Sequence, residues 1–259
     1  MDYHVHTKAS PDAKGEMEEY AKEAKKKGVD EIGFSDHVIL HDTSSGPCMP
    51  LHLMANYIQK FLDFKKKSEL PIKLGVEIDF APDDVEKIRE FIQKYPFDYV
   101  IGSVHFLGDW GIDYAPQINE YSKKDVLQTY EEYFSLVGKA CSSRLFDVLA
   151  HPDLIKIFGF KPKGDYSHIL TETAETMAQS DICAEINTKG LRRPCSEIYP
   201  SEQFLKIMHS YDVPITFGSD AHAPEEVGRD FDKAFKLAKK VGYTGACVFA
   251  NRKRTTVKI

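Results

Sequence analysis

The sequence predicts an α/β barrel whose strand ends converge on one mouth. Short apolar runs alternate with amphipathic helical stretches along all 259 residues, the pattern of a parallel sheet with crossover helices. Nearly every run ends in a histidine or an acid. That distribution fits a barrel, in which all strand C-termini face the same opening. A doubly wound sheet would gather such residues at a single switch point. The length suits one barrel domain over 1–259, and no low-complexity stretch, internal repeat or linker divides the chain.

The elements follow in order from their periodicity. Residues 1–6 read as a first strand with His4 and His6 on one face, because residues two apart in an extended chain point the same way. Residues 16–27 carry Met17, Tyr20, Ala21 and Ala24 at helical spacing, and Gly28 is placed to stop the helix. A buried strand follows at 31–35, then a helix around 53–67, a strand at 72–78, a helix at 83–93 and a strand at 97–104. A long helix at 123–141 leads to a strand at 145–150 and a helix near 167–179. A strand at 182–187, a helix at 201–209, a strand at 213–218, a helix at 225–240 and a strand-like segment at 246–249 complete the chain. The connections 38–52 and 106–121 exceed ordinary loop length, so they are expected to wall or cover a site.

Composition narrows the function classes. The net charge of −6 argues against a broad nucleic-acid surface, although a local basic patch can still hold one phosphate. No apolar run approaches the roughly 18–20 residues of a membrane span. The opening residues lack a basic and apolar leader, and cleavage there would remove His4, so N-terminal trimming is expected to abolish activity. The five cysteines are odd in number and scattered, without a C-x-x-C pair. They read as reduced thiols of a cytoplasmic protein.

The strand ends carry the chemistry. His4 and His6 are followed by Ser35-Asp36-His37, Val76-Glu77, Ser103-Val104-His105, Ala150-His151-Pro152 and Ser219-Asp220-Ala221-His222. A lone histidine at a strand end is usually a hydrogen-bonded structural residue, and His41, His52, His168 and His209 are read that way. The others coincide too often for that, and buried acids closing apolar strands, as at Glu77 and Asp220, are rare unless paired or metal-bound. Imidazole and carboxylate without thiolate suit zinc, iron, manganese or cobalt. Six strand ends supply more ligands than one ion uses, and a carboxylate such as Glu77 can bridge two. With no P-loop, nucleophile elbow or dinucleotide fingerprint in the chain, hydrolysis by a metal hydroxide is the favoured chemistry.

At these residues the chain resembles the polymerase-and-histidinol-phosphatase (PHP) superfamily, and specifically its histidinol-phosphate phosphatases. The six fragments match in order from end to end. The stretch Glu185-Ile186-Asn187-Thr188-Lys189-Gly190-Leu191-Arg192-Arg193-Pro194, followed by Glu197-Ile198-Tyr199-Pro200-Ser201, looks like the phosphatase branch. The resemblance implies a distorted (β/α)7 TIM-like barrel with three divalent first-row ions (zinc, iron or manganese) at the C-terminal ends of the strands. It assigns His4, His6, Glu77 and Asp220 to a first ion, and Glu77, His105 and His151 to a second. A third takes Asp12, His37 and His222. Asp12 by itself, in Ser10-Pro11-Asp12-Ala13, reads equally as a turn or cap.

The implied reaction is attack of a metal-bridging hydroxide on a phosphate monoester. A fork-shaped guanidinium suits the uncovered phosphate oxygens. Arg192 is the first candidate, Arg193 the second and Lys156 the third, while Arg193 also reads as a solvated charge and Lys156 as a structural one. The catalytic set is Glu77, Asp220 and His222; the leaving alcohol takes its proton from Asp220, His222 or a water, and the sequence does not choose. For a histidinol amine and imidazole, Glu197, Tyr199, Asp42 and His41 lie on suitable segments, though each also reads as a cap, loop ion pair or core residue. The expected partner is a small phosphate monoester, L-histidinol phosphate, with no nucleic acid and no membrane. A phosphoesterase for nucleotides, oligonucleotides or phosphotyrosine, and a non-catalytic metal-binding module, remain the alternatives.

Overall fold

A computed structural model of the chain describes residues 1–40 and 46–259. The first helix, α1 (Met17–Lys26), buries Met17, Tyr20, Ala21 and Ala24, the face its spacing defines. Its start is fixed by Glu19, whose carboxylate accepts the Glu16 N–H at 2.7 Å, and Gly28 leaves it with φ +71°. In chain order there follow β1 (Ile32–Phe34), β2 (His37–Val38), α2 (Met54–Lys65), β3 (Ile72–Leu74), β4 (Glu77–Asp79), α3 (Val85–Lys94) and β5 (Ile101–Ser103). A short hairpin of β6 (Phe106–Leu107) and β7 (Trp110–Gly111) opens the long connection before α4 (Val126–Ser142). Then come β8 (Val148–Leu149), α5 (Ser167–Ser180), β9 (Cys183–Asn187), α6 (Glu202–Ser210), β10 (Ile215–Gly218), α7 (Phe231–Val241), β11 (Gly245–Ala250) and β12 (Lys253–Lys258).

The main sheet is parallel in the order β10-β9-β8-β5-β4-β2, and β1 pairs with β3, also parallel. Backbone bonds from Gly75 to Phe34 and from Glu77 to Asp36 carry the ladder across the breaks between β1 and β2 and between β3 and β4. Residues 2–6 lie between the two edges. They bridge in parallel to Ile32 through Asp2 and to Ala221 through Val5. Gly33 N and Ser35 N donate to Asp2 O and Val5 O on one side, while Tyr3 N and His6 N donate to Phe217 O and Ala221 O on the other. The first segment thus joins both edges, as the barrel that the residue pattern predicts requires. Buried Asp2 fastens this join by accepting from Ser219 N, Ser219 Oγ and Gly228 N at 2.6–2.9 Å.

An aromatic plug fills the barrel at the end opposite the ligand-bearing termini. The Tyr99 ring crosses the interior and donates from its hydroxyl to Tyr3 O at 2.7 Å. It fits only because Gly33 and Gly75 face it: a Cβ on either would lie 2.2 Å from the ring or its hydroxyl. Phe249 of β11 packs beside Tyr3 and Tyr99 with centroids 5.8 and 6.1 Å away. The polar chemistry is therefore confined to one mouth.

Toward the C-terminus two elements differ from the sequence reading. The helix expected at 225–240 begins at Phe231, because Gly228 and Asp230 both take φ +61° and break the helical path. The segment at 246–249 is one arm of an antiparallel hairpin whose second arm, β12, is not evident in the sequence. Its two-residue turn puts Asn251 and Arg252 at φ +50° and +63°, as a right-twisted hairpin demands. Arg252 is held there by Asp98 O, Leu145 O and the Asp147 carboxylate. No helix among the described residues is long and apolar enough to cross a membrane.

Candidate metal centre

The parallel register delivers the cluster. His37 of β2 is the Cα partner of Glu77 of β4, which pairs with Ile101 of β5. His105 lies just past β5, His151 past β8, and Asp220 and His222 past β10. His4 and His6 arrive on the segment that joins β1 to β10. One acid then stands at the centre. Glu77 Oε2 is 3.1 Å from His4 Nε2, 3.5 Å from His6 Nε2 and 2.8 Å from His37 Nδ1. Its other oxygen, Oε1, is 3.2 Å from His151 Nε2 and 3.6 Å from His105 Nε2. Asp220 Oδ1 lies 3.5 Å from His6 Nε2 and 3.5 Å from His222 Nδ1. Asp12 closes the exposed side, with Oδ2 at 3.1 Å from His222 Nε2 and 4.0 Å from His37 Nε2.

These groups fit metal ions by the chemistry of their lone pairs. His4 Nε2, both ring nitrogens of His6 and Glu77 Oε2 are buried and make no hydrogen bond among the described residues, despite their short separations. Buried polar atoms are rarely left so. Donor atoms gather within 4.8 Å of one another in four sets: His4, His6 and Glu77; Glu77, His105 and His151; His6, His37 and His222; and His4, His151 and Asp220. The first set holds three of the four ligands assigned to the first ion, without Asp220, and the second set holds the three assigned to the second ion. The third places His37 and His222 together, with Asp12 beside both.

The electrostatics favour cations. Burial pushes the Glu77 carboxyl up, but the charges of His4 and His37 and the bond from His151 hold it well below the usual range. Asp220 is likewise held low against burial, chiefly by Lys189 and His4. Burial opposes protonation of His4, yet Glu185, Glu77 and Asp220 raise it well above an ordinary histidine. His105 rises to about 10 against burial through its bond to Asp79 and the charge of Glu77. His6 goes the other way: burial lowers it, and His37 and His222 lower it further. Protons and metals compete for the same lone pairs, so a field that holds protons on His4 and His105 can equally hold metal cations.

A cavity of about 680 Å³ opens over the cluster. Both long connections line it, through Val38, Ile39, Gly46 and Pro47 on one side and Phe106, Asp113, Tyr114 and Gln117 on the other. Arg192 and Arg193 reach it. Arg192 is anchored by Thr188 O, Ser219 O and Asp230, which engage three of its five N–H groups. Lys156 is not brought to the cluster. Its buried ammonium, at the end of the 3-10 turn Leu154–Lys156, is taken up instead by Asp153 at 2.7 Å, Ile198 O at 2.8 Å and Glu197 at 3.3 Å. Glu197 is engaged by Lys156 and Lys161, while Tyr199 lines the cavity. His41 and Asp42 lie outside the described residues. His52 and His168 are exposed, and His209 packs edge-on against Tyr243, all apart from the cluster.

Sequence reasoning missed four neighbours. Asp79 accepts from His105 N at 2.8 Å and lies 3.1 Å from its Nδ1. Glu185 lies 2.7 Å from His4 Nδ1, and Asn187 donates to both Glu185 and Asp220. Lys189 donates to Asp220 at 2.9 Å and sits 3.0 Å from His222. The signal was present: the alternation that pairs His4 with His6 also pairs Glu77 with Asp79 and Glu185 with Asn187.

The comparisons with known proteins agree with this geometry. The PHP domain matches residues 2–189, and a PHP-associated region matches 202–231. The chain is 35% identical over 246 residues to a probable histidinol-phosphatase of Deinococcus radiodurans, covering 93% of each. It is 28% identical to a histidinol-phosphatase of Lactococcus lactis subsp. lactis, covering 98% of this chain and 95% of that one. A solved structure of histidinol phosphate phosphatase from Lactococcus lactis subsp. lactis, complexed with zinc, L-histidinol and phosphate, superposes with a TM-score of 0.84 at 25% identity over 98% of each chain. By domain match, sequence and fold, the chain belongs to the PHP domain family.

Proposed function

We propose that this chain is a metal-dependent phosphomonoesterase that hydrolyses L-histidinol phosphate to L-histidinol and phosphate, a step of histidine biosynthesis. The observation that carries the reading is Glu77, one buried carboxylate whose two oxygens each face a different group of imidazoles. That is the arrangement a bridging ligand needs. The relatives named histidinol-phosphatase, and the related structure that holds zinc, L-histidinol and phosphate, supply the substrate.

His4, His6, Glu77 and Asp220 would hold one ion, Glu77, His105 and His151 a second, and Asp12, His37 and His222 a third. Zinc, iron and manganese suit this donor set. When bound, such ions lower the pKa of water and neutralise phosphate charge. The protein supplies the rest. Arg192, fixed by its three anchors, offers its remaining N–H groups to the phosphate, with Arg193 and Lys189 beside it on the cavity wall. Asp220 and His222 line the cavity, where they can orient a water that hands a proton to the departing alcohol, and Lys189 contacts both. Described residues of both long connections line the cavity beside the cluster. The cavity volume lies within the range of small-molecule sites. The five free cysteines accord with a cytoplasmic enzyme.

A substrate panel tests this reading. The metal-loaded protein is assayed with histidinol phosphate, mononucleotides, a phosphotyrosine peptide and p-nitrophenyl phosphate. Histidinol phosphate is expected to lead in kcat/KM by at least about tenfold, or about 1.4 kcal/mol of transition-state binding. Equal or better turnover of any other substrate overturns the assignment.

A further inference from the structure

Glu185 is a buried carboxylate in the middle of β9, 1% exposed, with no Lys or Arg paired to it among the described residues; its one ion-pair contact is with His4. A carboxylate without a matching cation is costly to bury, and the fold makes room for this one. A Cβ on Gly218, the β10 residue opposite Asn187, would lie 1.8 Å from Glu185 Oε1.

What the carboxylate touches gives it a task. Its Oε1 is 2.7 Å from His4 Nδ1. An ionised carboxylate only accepts, so the proton of this bond sits on Nδ1. In the neutral ring that a metal ligand requires, the lone pair is then left on Nε2, the nitrogen that faces Glu77 at 3.1 Å and Asp220 at 3.9 Å. The other oxygen, Oε2, accepts from His151 N at 2.9 Å and from Asn187 Nδ2 at 3.0 Å. Asn187 Nδ2 also donates to Asp220 Oδ2 at 3.2 Å. Its amide cannot flip without loss, because Oδ1 accepts the Lys189 N–H at 2.9 Å. His151 and Asp220 stand at φ +24° and +54°, where residues with a Cβ seldom rest unless their surroundings hold them.

We infer that Glu185, seated by Asn187, is a positioning residue for the metal centre: it fixes the tautomer of His4 and ties together the strand ends that carry His4, His151 and Asp220. The inference rests on the proposed metal centre and adds a role that the ligand sets do not contain. Histidine ligands whose second nitrogen is held by a carboxylate bind metal more tightly, and loss of such a partner costs about 10–100-fold in affinity or activity.

Glu185→Gln tests it with little change of shape. Two N–H groups point at the Oε2 position, so the amide oxygen settles there and the NH2 faces His4 Nδ1. His4 must then accept at Nδ1 and carry its proton on Nε2, which withdraws the lone pair from the metal. Zinc affinity, measured by competition with a chromogenic chelator, is expected to fall at least about tenfold. The visible absorption of the cobalt-loaded protein should change as well, while the metal-free protein melts as wild type does. A folded variant with wild-type affinity and cobalt spectrum overturns the inference, as does a loss of affinity matched by lower melting of the metal-free protein. Should Glu185→Gln not fold, Asn187→Ala is measured in the same way; weaker zinc binding with wild-type melting supports the inference, and unchanged binding overturns it. A wild-type chain that binds no metal would instead sink the metal centre itself.

Discussion

Glu77→Gln strips metal from the protein and lowers kcat/KM for histidinol phosphate by at least about 10³-fold, roughly 4 kcal/mol of transition-state stabilisation. The reason is geometric. Both oxygens of Glu77 are committed, one toward His4, His6 and His37 and the other toward His105 and His151. An amide presents an NH2 to one of these groups whichever way it turns, and an NH2 cannot ligate a cation. The charge that offsets the crowded imidazoles is lost at the same time. Because the amide matches the carboxylate in shape, the circular dichroism spectrum should stay that of the wild type. Elemental analysis of the purified variant checks the claim, and a full complement of metal would remove Glu77 from its bridging position.

Lys156→Met produces the largest loss of stability, about 3–5 kcal/mol, without weakening metal binding. Lys156 and Asp153 are 2% and 4% exposed and 2.7 Å apart. Removing one partner of such a pair leaves the other charge buried without compensation. Asp153 still accepts the Ser201 N–H, which moderates the penalty but does not cancel it. Denaturant titration of wild type and variant reads the difference as a shift in midpoint at constant slope. A variant of wild-type stability with a raised KM would instead return Lys156 to the substrate site, where its closeness in sequence to His151 suggests it belongs.

That contrast shows where the sequence is legible. Residue spacing is a good guide to which side chains share a strand face, so His4 with His6 and the acids and histidines at strand ends are readable before any coordinates. Spacing says little about where a side chain goes after a turn. Lys156 follows His151 by five residues, yet its ammonium, at the end of a 3-10 turn, is taken up by Ile198 O and Asp153. Apart from the family resemblance, closure of the barrel shows in the sequence only through the number of ligand-bearing ends. Of the pairings themselves, Asp2 with Ile32 and Val5 with Ala221, the second spans most of the chain, and neither leaves a local trace. The hairpin partner β12 was missed because Lys253–Lys258 is polar and exposed, without the alternation that marks a half-buried strand. Glu185 was visible as an acid in an apolar run. Its purpose appears only once His4, 181 residues away in sequence, is seen beside it.

The helix boundaries follow the same logic. The apolar spacing of α7 extends upstream of Phe231, but Gly228 and Asp230 adopt backbone conformations that no helix continues. Periodicity sets the buried face of a helix, while the residues before it set where the helix starts.

Diffraction from crystals soaked with zinc and inorganic phosphate, collected at the zinc absorption edge, tests the central claim most directly. Anomalous peaks are expected on either side of Glu77, about 2 Å from its carboxylate oxygens and from the nitrogens of His4, His6, His105 and His151, with the phosphate between those peaks and Arg192. Crystals in which no anomalous peak touches Glu77, or in which phosphate binds away from it, would contradict the account.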